Sequence, residues 1–437
     1  MSQLTICLII FVLTVIGYCV GVWSLGTVSI MSLTALSLTG CLTVDQGGKL
    51  VDTTLTYFGN NNVVMIGTMC IVAAGFNRTK FCQSLADQIS KLAKGSLNKI
   101  LFGYVLIGVI LSQFIQSPVV VFGIVAPMLA ASVEAMGVSN SKVMFALGTA
   151  TIITCCTLPL GAGATVAAEL NGYLESYGYT NYLVGIADPM KARLPLMVIA
   201  TLFCAFVLPK FCKDEASVAT KESVKKQEKK EPLKELSEYA GIIIFFGDAL
   251  GLMFASKIGL QNWQITMIGA LLMVAFGVLK SKEAVQSVPW SMLLLIVGAL
   301  GLSGALSATG AGKLIGDHIA SVVQAVNGNS YIVGAIFFII PFLMTQVMQN
   351  RGTMLIFHPI AIATCASIGG DPRGLMILVQ AACLSAFMTP MATAAVPYIM
   401  DYGGYKQSDM FKQSWLLAIV CFVVSVGWIM TIFPILP

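Results

Sequence analysis

The sequence predicts an all-α polytopic membrane protein built from two inverted repeats of five spans. Three observations support this fold class. Of the 437 residues, 57% are hydrophobic and only 10% are charged, whereas soluble domains carry about 25% charged residues. The apolar residues come in runs long enough to cross a bilayer as helices. The same landmarks recur in the same order in both halves. We interpret the net charge of +5 through membrane topology and expect no nucleic-acid partner.

A charged segment divides the chain into two domains. Residues 210–238 contain eight Lys and seven Asp or Glu residues and few apolar ones, a pattern typical of a solvated linker. The first repeat is therefore predicted at 1–209 and the second at 239–437. Within them we expect scaffold parts at 1–96 and 239–327 and transport parts at 97–209 and 328–437.

Each half is predicted to contain the same series of elements. Three apolar spans come first, at 4–22, 26–42 and 60–76 and again at 240–256, 262–280 and 290–308. An amphipathic arm follows at 78–95 or 309–326, and then a hairpin that re-enters the membrane. A span interrupted by Pro, Gly and small residues, 142–178 or 374–400, precedes a closing span, 190–209 or 413–435.

Three pairs of landmarks support the repeat. Both hairpins carry the pattern hydroxyl-Gln-apolar-apolar-Gln-polar, starting at Ser112 and at Thr345. The other two pairs are the following: Thr79, Asp87 and Ile89 with Thr309, Asp317 and Ile319, and Leu158–Gly161 with Thr389–Ala392. Matches in register at three places favour an internal duplication.

The distribution of basic residues predicts an orientation. With the linker in the cytoplasm, 18 Lys and Arg residues face the cytoplasm and six face outside, among them Arg193 and Arg373. This bias agrees with the positive-inside rule. The bias predicts that the second half has inverted topology relative to the first. It also predicts that both termini lie outside the plasma (inner) membrane.

The polar hairpin tips are the predicted binding region. Polar groups inside apolar hairpins are costly in lipid unless they line a cavity or bind a ligand. Gln116-Ser117-Pro118 and Gln349-Asn350-Arg351 are such interruptions, and helix N-termini there favour anions. Arg351 has three possible roles: a ligand for a substrate anion, a partner of an internal carboxylate such as Asp248 or Asp401, or a solvated loop residue.

Two further ionisable residues lie in apolar surroundings. His358 is either a proton-coupling group or a packed or solvent-lining residue. Asp248 is a lone acid that is either a proton site or a structural partner. The sequence shows no P-loop, HExxH or GxSxG motif, so we expect neither an enzyme nor a nucleotide-driven pump.

At these residues the chain resembles the divalent anion:sodium symporter family. The resemblance covers nearly the whole chain and is clearest at Trp290–Ile319 and Phe387–Met410. It implies a homodimer in which a transport domain moves as an elevator against a fixed scaffold. It also implies sodium as a coupling ion, with no other cofactor. By this resemblance the sodium ligands fall on Ser112, Ser117 and Gly161 and on Thr345, Asn350 and Ala392.

The family's Ser-Asn-Thr tip motif is altered in this chain. In the first tip, Gln116 replaces the Ser of the motif and Ser117 replaces the Asn. In the second tip, Gln349 replaces the Ser and Arg351 replaces the Thr. Pro118 replaces the other Thr. The substrate-binding residues are expected to be Gln116, Ser117, Gln349, Asn350, Arg351 and Thr393.

The predicted function is secondary active transport of a small anion, a di- or tricarboxylate. Coupling to sodium, coupling to protons and exchange all stay open. Two alternatives remain: the membrane subunit of a tripartite carrier that needs a soluble binding protein, and a permease for sulfate or another inorganic oxyanion.

Overall fold

The computed structural model describes most of the chain. The described residues are the following: 2–20, 23–46, 49–81, 96–115, 117–134, 136–160, 162–215, 233–288, 290–311, 314, 329–347, 350–390, 392–393 and 395–436. The regular secondary structure of these residues is helical apart from one short β-hairpin, which confirms the all-α prediction. Most of each amphipathic arm, and the linker between 215 and 233, lie outside the described residues.

The first half contains eight α-helices within the described residues. They are the following: α1 Gln3–Val20, α2 Leu25–Leu38, α3 Asn61–Arg78, α4 Leu97–Phe114, α5 Pro118–Glu134, α6 Met144–Thr154, α7 Ala162–Tyr177 and α8 Asp188–Phe206. Side-chain caps start α2 and α3: Ser24 accepts from the Thr27 N–H at 3.2 Å and Asn60 from the Asn62 N–H at 2.8 Å. A short antiparallel hairpin that the sequence did not predict, β1 Thr43–Gln46 and β2 Lys49–Asp52, separates these two helices.

The second half repeats this order with two short helices added. The helices are the following: α9 Glu235–Met253, α10 Ala255–Ile258, α11 Asn262–Ala275, α12 Ser281–Ser287, α13 Trp290–Ala308, α14 Ser330–Thr345, α15 Asn350–Ile368, α16 Arg373–Cys383, α17 Ala395–Gly403 and α18 Gln407–Ile432. The predicted hairpins are α4–α5 and α14–α15, and the predicted interrupted spans are α6–α7 and α16–α17. We call the segment between α6 and α7 the first break and the segment between α16 and α17 the second break. Helix α9 begins inside the segment assigned to the linker.

Equivalent helices of the two halves make equivalent contacts. Helix α2 packs on α13 as α3 packs on α11, so the first three helices of the two halves interleave. In the remainder, α4 packs on α6 and α8 as α14 packs on α16 and α18. The closing helices α8 and α18 also pack on each other. The packing therefore repeats along with the sequence landmarks.

A glycine allows the close approach of α2 and α13. A Cβ on Gly298 of α13 would lie 2.4 Å from the Ser29 carbonyl oxygen of α2. We expect Gly298→Ala to lower the free energy of unfolding by about 1–3 kcal/mol through overpacking. Gly247→Ala on α9 is the control, because its Cβ would meet no atom within 4 Å. The thermal midpoints of both purified variants in detergent measure the difference; equal midpoints would contradict this interpretation of the contact.

Helix length and burial place the breaks inside the protein. Five described helical segments are long and apolar enough to cross a membrane, and several shorter apolar helices accompany them. Helices α6 and α16 have 11 residues each, about 17 Å at 1.5 Å per residue. That is about half of a ~30 Å hydrocarbon core. Every residue of α6 is buried, so its broken end is covered by protein rather than lipid.

Candidate functional site

The two hairpin tips are helix-to-helix turns. Helix α4 ends at Phe114 and α5 begins at Pro118, a residue suited to a first helical position. Ser117 precedes it, and its carbonyl accepts from the Val120 and Val121 N–H groups at 3.0 and 3.1 Å. Helix α15 begins at Asn350. Both predicted tips thus end in a helix N-terminus, where the helix dipole attracts anions.

Gln113 fastens the first tip to the first break. Its amide nitrogen donates to the Thr154 carbonyl at 2.9 Å, and its amide oxygen accepts from the Thr157 and Leu158 N–H groups at 3.1 and 3.0 Å. These are backbone groups that the end of α6 leaves unpaired. The side chain is 2% exposed. Gln113 therefore holds the unwound segment in place.

Gln346 does the same at the second break. Its amide nitrogen donates to the Ser385 carbonyl at 3.3 Å, and its amide oxygen accepts from the Met388 N–H at 3.0 Å. Its own carbonyl accepts from the Thr389 hydroxyl. Binding is predicted at the second Gln of each motif, whereas the first Gln makes these contacts and was not predicted to have a role. The recurrence of a hydroxyl-Gln pair in both halves was the signal for this role.

The residues assigned to sodium lie partly together. Ser112 is fully buried, and its Oγ lies 3.2 Å from the Oγ1 of Thr154. In the second half the Thr345 hydroxyl donates to Asn350 Oδ1 at 2.9 Å and lies 3.5 Å from the Cys383 carbonyl oxygen. Each cluster offers neutral oxygen atoms, the ligands that hard cations take. Ala392 is buried beside the second break.

Some predicted positions are separate or not described. Gly161, Gln116 and Gln349 lie outside the described residues. Thr393 is half-buried, and its hydroxyl accepts from the Ala395 N–H at 2.9 Å, so it caps α17. Within the described part of the chain, Ser117 has no hydrogen bond to Asn350 or Thr393.

Arg351 pairs with a carboxylate from the other half of the chain. Its Nη1 donates to Glu169 Oε2, and Glu169 lies on α7, after the first break. The Arg351 side chain is 39% exposed, whereas that of Glu169 is 6% exposed. Of the alternatives for Arg351, the internal partner is thus present, but it is neither Asp248 nor Asp401. Asp401 is exposed on α17, and Asp248 is buried on α9 with its Oδ2 unpartnered among the described residues.

His358 lies on the same helix as Arg351 and is packed inside the protein. It is 1% exposed, and its ring centroid lies 5.2 Å from that of Tyr173 on α7 at an interplanar angle of 63°. The charges of Glu169 and Arg351 interact electrostatically with the His358 imidazole. The site thus joins α7 of the first half to α15 of the second.

Arg193 hydrogen-bonds the backbone at the end of α6, next to the first break. It lies on α8, is 1% exposed, and donates from Nη1 to the Cys156 carbonyl at 3.1 Å and from Nη2 to the Ile153 carbonyl at 2.8 Å. A cation at the carbonyl end of a helix is electrostatically favourable. Arg193 is one of the six basic residues predicted to face outside, and the structure buries it against the end of α6. Cys156 has a φ of 58°, so the turn that Arg193 holds is strained.

These features define a class of protein. Two helical hairpins and two broken helices, with a partly buried charge pair joining the halves, are the architecture of a multi-pass membrane transporter. The chain belongs to the citrate transporter family, whose model matches residues 6–350. This family consists of membrane transporters rather than enzymes.

Curated relatives and solved structures agree with that family. An uncharacterized transporter of Haemophilus influenzae is 27% identical over 279 residues, covering 60% of this chain and 58% of the relative. Solute carrier family 13 member 2 of Mus musculus is 28% identical over 143 residues, covering 33% of this chain and 24% of the relative. The chain thus spans between about a quarter and three fifths of these relatives. The resemblance to the divalent anion:sodium symporters is confirmed.

Two solved transporters share the fold. Neisseria gonorrhoeae MtrF, whose structure illuminates a class of antimetabolite efflux pumps, gives a TM-score of 0.61 at 15% identity over 98% of both chains. Alcanivorax borkumensis YdaH gives 0.63 at 13% identity, over 95% of this chain and 100% of that one. At these identities the likeness concerns the fold alone.

Proposed function

We propose that the chain is a secondary active carrier of a small anion, a di- or tricarboxylate, that binds at Arg351. The observation that carries the proposal is the asymmetry of the central pair. The Arg351 side chain is 39% exposed at a helix N-terminus, while that of its carboxylate partner is 6% exposed. A planar guanidinium suits bidentate contact with a carboxylate. Gln116, Ser117, Gln349, Asn350 and Thr393 complete the proposed site.

The proposed mechanism is an elevator-type movement in a homodimer. The two halves are inverted repeats in this proposal, with scaffold parts 1–96 and 239–327 and transport parts 97–209 and 328–437. The repeated packing and the buried breaks of half-membrane length support it. The protein is placed in the plasma (inner) membrane with the linker in the cytoplasm and both termini outside.

Sodium is one candidate coupling ion. A relative in Chlamydomonas reinhardtii, 22% identical over 188 residues, is named sodium/sulfate cotransporter 1. A relative in Caenorhabditis elegans, 26% identical over 145 residues, is named sodium-dependent high-affinity dicarboxylate transporter 3. The oxygen clusters around Ser112 and around Thr345 are the proposed sites. The sulfate name also favours an inorganic oxyanion as the second candidate substrate.

A thermal-shift screen tests this proposal. Ligands that bind the folded state raise its apparent stability, by about 2.7 kcal/mol at one hundred times Kd. We expect citrate or succinate to raise the thermal midpoint of the purified chain, and sodium to enhance the shift if it is the coupling ion. A shift with sulfate alone would favour the inorganic oxyanion. No shift with any of the three anions would contradict an anion site in the isolated chain and favour a subunit that receives substrate from a soluble binding protein.

A further inference from the structure

The pair between Glu169 and Arg351 joins two helices that belong to different halves of the chain. Glu169 lies in the middle of α7 and Arg351 in the first turn of α15. Glu169 Oε2 accepts a hydrogen bond from Arg351. Glu169 Oε1 is buried and has no hydrogen bond among the described residues. One buried oxygen therefore already lacks a donor in this state.

An anion that binds Arg351 competes directly with Glu169. Each is a negative group that pairs with the same guanidinium, and the Arg351 side chain is 39% exposed while it is paired with Glu169. If a substrate displaced Glu169 without further change, a buried carboxylate would lose its cation. An unpaired charge in a buried environment is strongly unfavourable, and a bound proton removes that cost.

The titratable and charged groups around the pair of Glu169 and Arg351 come from four elements. Arg351 and His358 act from α15, Tyr173 from α7 itself, and Cys156 from the first break. Arg193 acts on Cys156 from α8. Within the described residues, Glu169 is the carboxylate that forms an ion pair with Arg351.

We propose that Glu169 is the coupling acid of this carrier, pairing with Arg351 in the empty site and releasing it to the substrate anion on taking up one proton. The inference rests on the proposed function. One proton enters with each anion and leaves on the other side with it, after which the carboxylate pairs with Arg351 again. The empty site is then neutral through the pair, and the proton offsets one negative charge of the loaded site. Both states limit the cost of moving charge through the membrane.

Sulfate binding at two pH values tests the proposal, because sulfate stays a dianion over the whole range. For the wild-type chain we expect affinity to fall by as much as about tenfold per unit between about pH 6 and about pH 8, the limit for one linked proton. Binding in weakly buffered solution takes up about one proton per anion. In Glu169→Gln the affinity no longer varies with pH and proton uptake is lost.

Glu175→Gln is the matched control. It carries the same change on the same helix, but its carboxylate accepts from Asn62 Nδ2 at 2.9 Å rather than from an arginine, so we expect its pH dependence to match the wild type. Citrate and succinate are titrated in parallel. Wild-type binding without proton uptake would overturn the coupling role and leave the proposed function standing, even if Glu169→Gln failed to fold. Loss of pH dependence in His358→Gln but not in Glu169→Gln would also overturn it. Binding of none of the three anions would overturn the proposed function and this inference together.

Discussion

Replacing Arg351 by Gln is expected to weaken the binding of citrate, succinate or sulfate by about 10- to 150-fold. A hydrogen bond to a charged group contributes about 1.5–3 kcal/mol, and each 1.4 kcal/mol is about tenfold in affinity. Arg351→Lys retains the charge but not the planar fork, so we expect it to recover part of the affinity. Equilibrium binding to the purified variants measures both effects.

Arg351→Gln also leaves Glu169 buried without its cation. Breaking a buried pair by removing one partner costs about 3–5 kcal/mol, so the thermal midpoint should fall as well. The double variant Glu169→Gln/Arg351→Gln separates the two roles. It should regain most of the stability because no charge is left unpaired, while anion binding stays lost. Recovery of binding in the double variant would show that Arg351 acts only through the fold.

Replacing Arg193 by Leu is expected to destabilise the chain by about 3 kcal/mol. The change removes two charge-assisted hydrogen bonds, at 3.1 and 2.8 Å, from carbonyls at the end of α6, each worth about 1.5–3 kcal/mol. A leucine leaves both carbonyls buried without a donor. The thermal midpoint and the monodispersity of the detergent-purified variant measure the loss, and binding falls with them because the first break is no longer held.

Lys191→Leu is the control for Arg193→Leu. Lys191 lies two residues earlier on α8, and its side chain is 61% exposed in a pair with Asp188. Exposed pairs contribute about 0–1 kcal/mol, so this variant should resemble the wild type. A midpoint for Arg193→Leu as high as that of Lys191→Leu would rule out the proposed support of the break.

Much of the fold follows from the sequence, since lipid leaves few choices to an apolar run. The spans, both hairpins and both interruptions lie where apolar length and the Pro and Gly residues placed them. The hairpin formed by β1 and β2 was not predicted, because four-residue strands in a polar loop have too few residues for a pattern. The orientation of the two halves rests on charge counting and stays a prediction.

The site was predicted less completely, because its residues are far apart in the sequence and because a sequence does not show where a side chain points. Arg351 stood out as a cation inside an apolar hairpin, but Glu169 lies 182 residues away in the chain, and no local pattern connects them. Sequence spacing places Gln113 and Gln346 beside the tips without showing that their amides turn toward the breaks. Composition likewise does not distinguish the buried Arg193 from a basic residue at the membrane surface.

Counterflow with the purified chain in liposomes is the most direct test of anion transport through the Arg351 site. Vesicles loaded with unlabelled citrate, succinate or sulfate are diluted into the same labelled anion, with Arg351→Gln vesicles in parallel. We expect wild-type vesicles to accumulate label transiently with at least one of the three anions, and Arg351→Gln vesicles to accumulate none. No accumulation in wild-type vesicles, or equal accumulation in both, would contradict it.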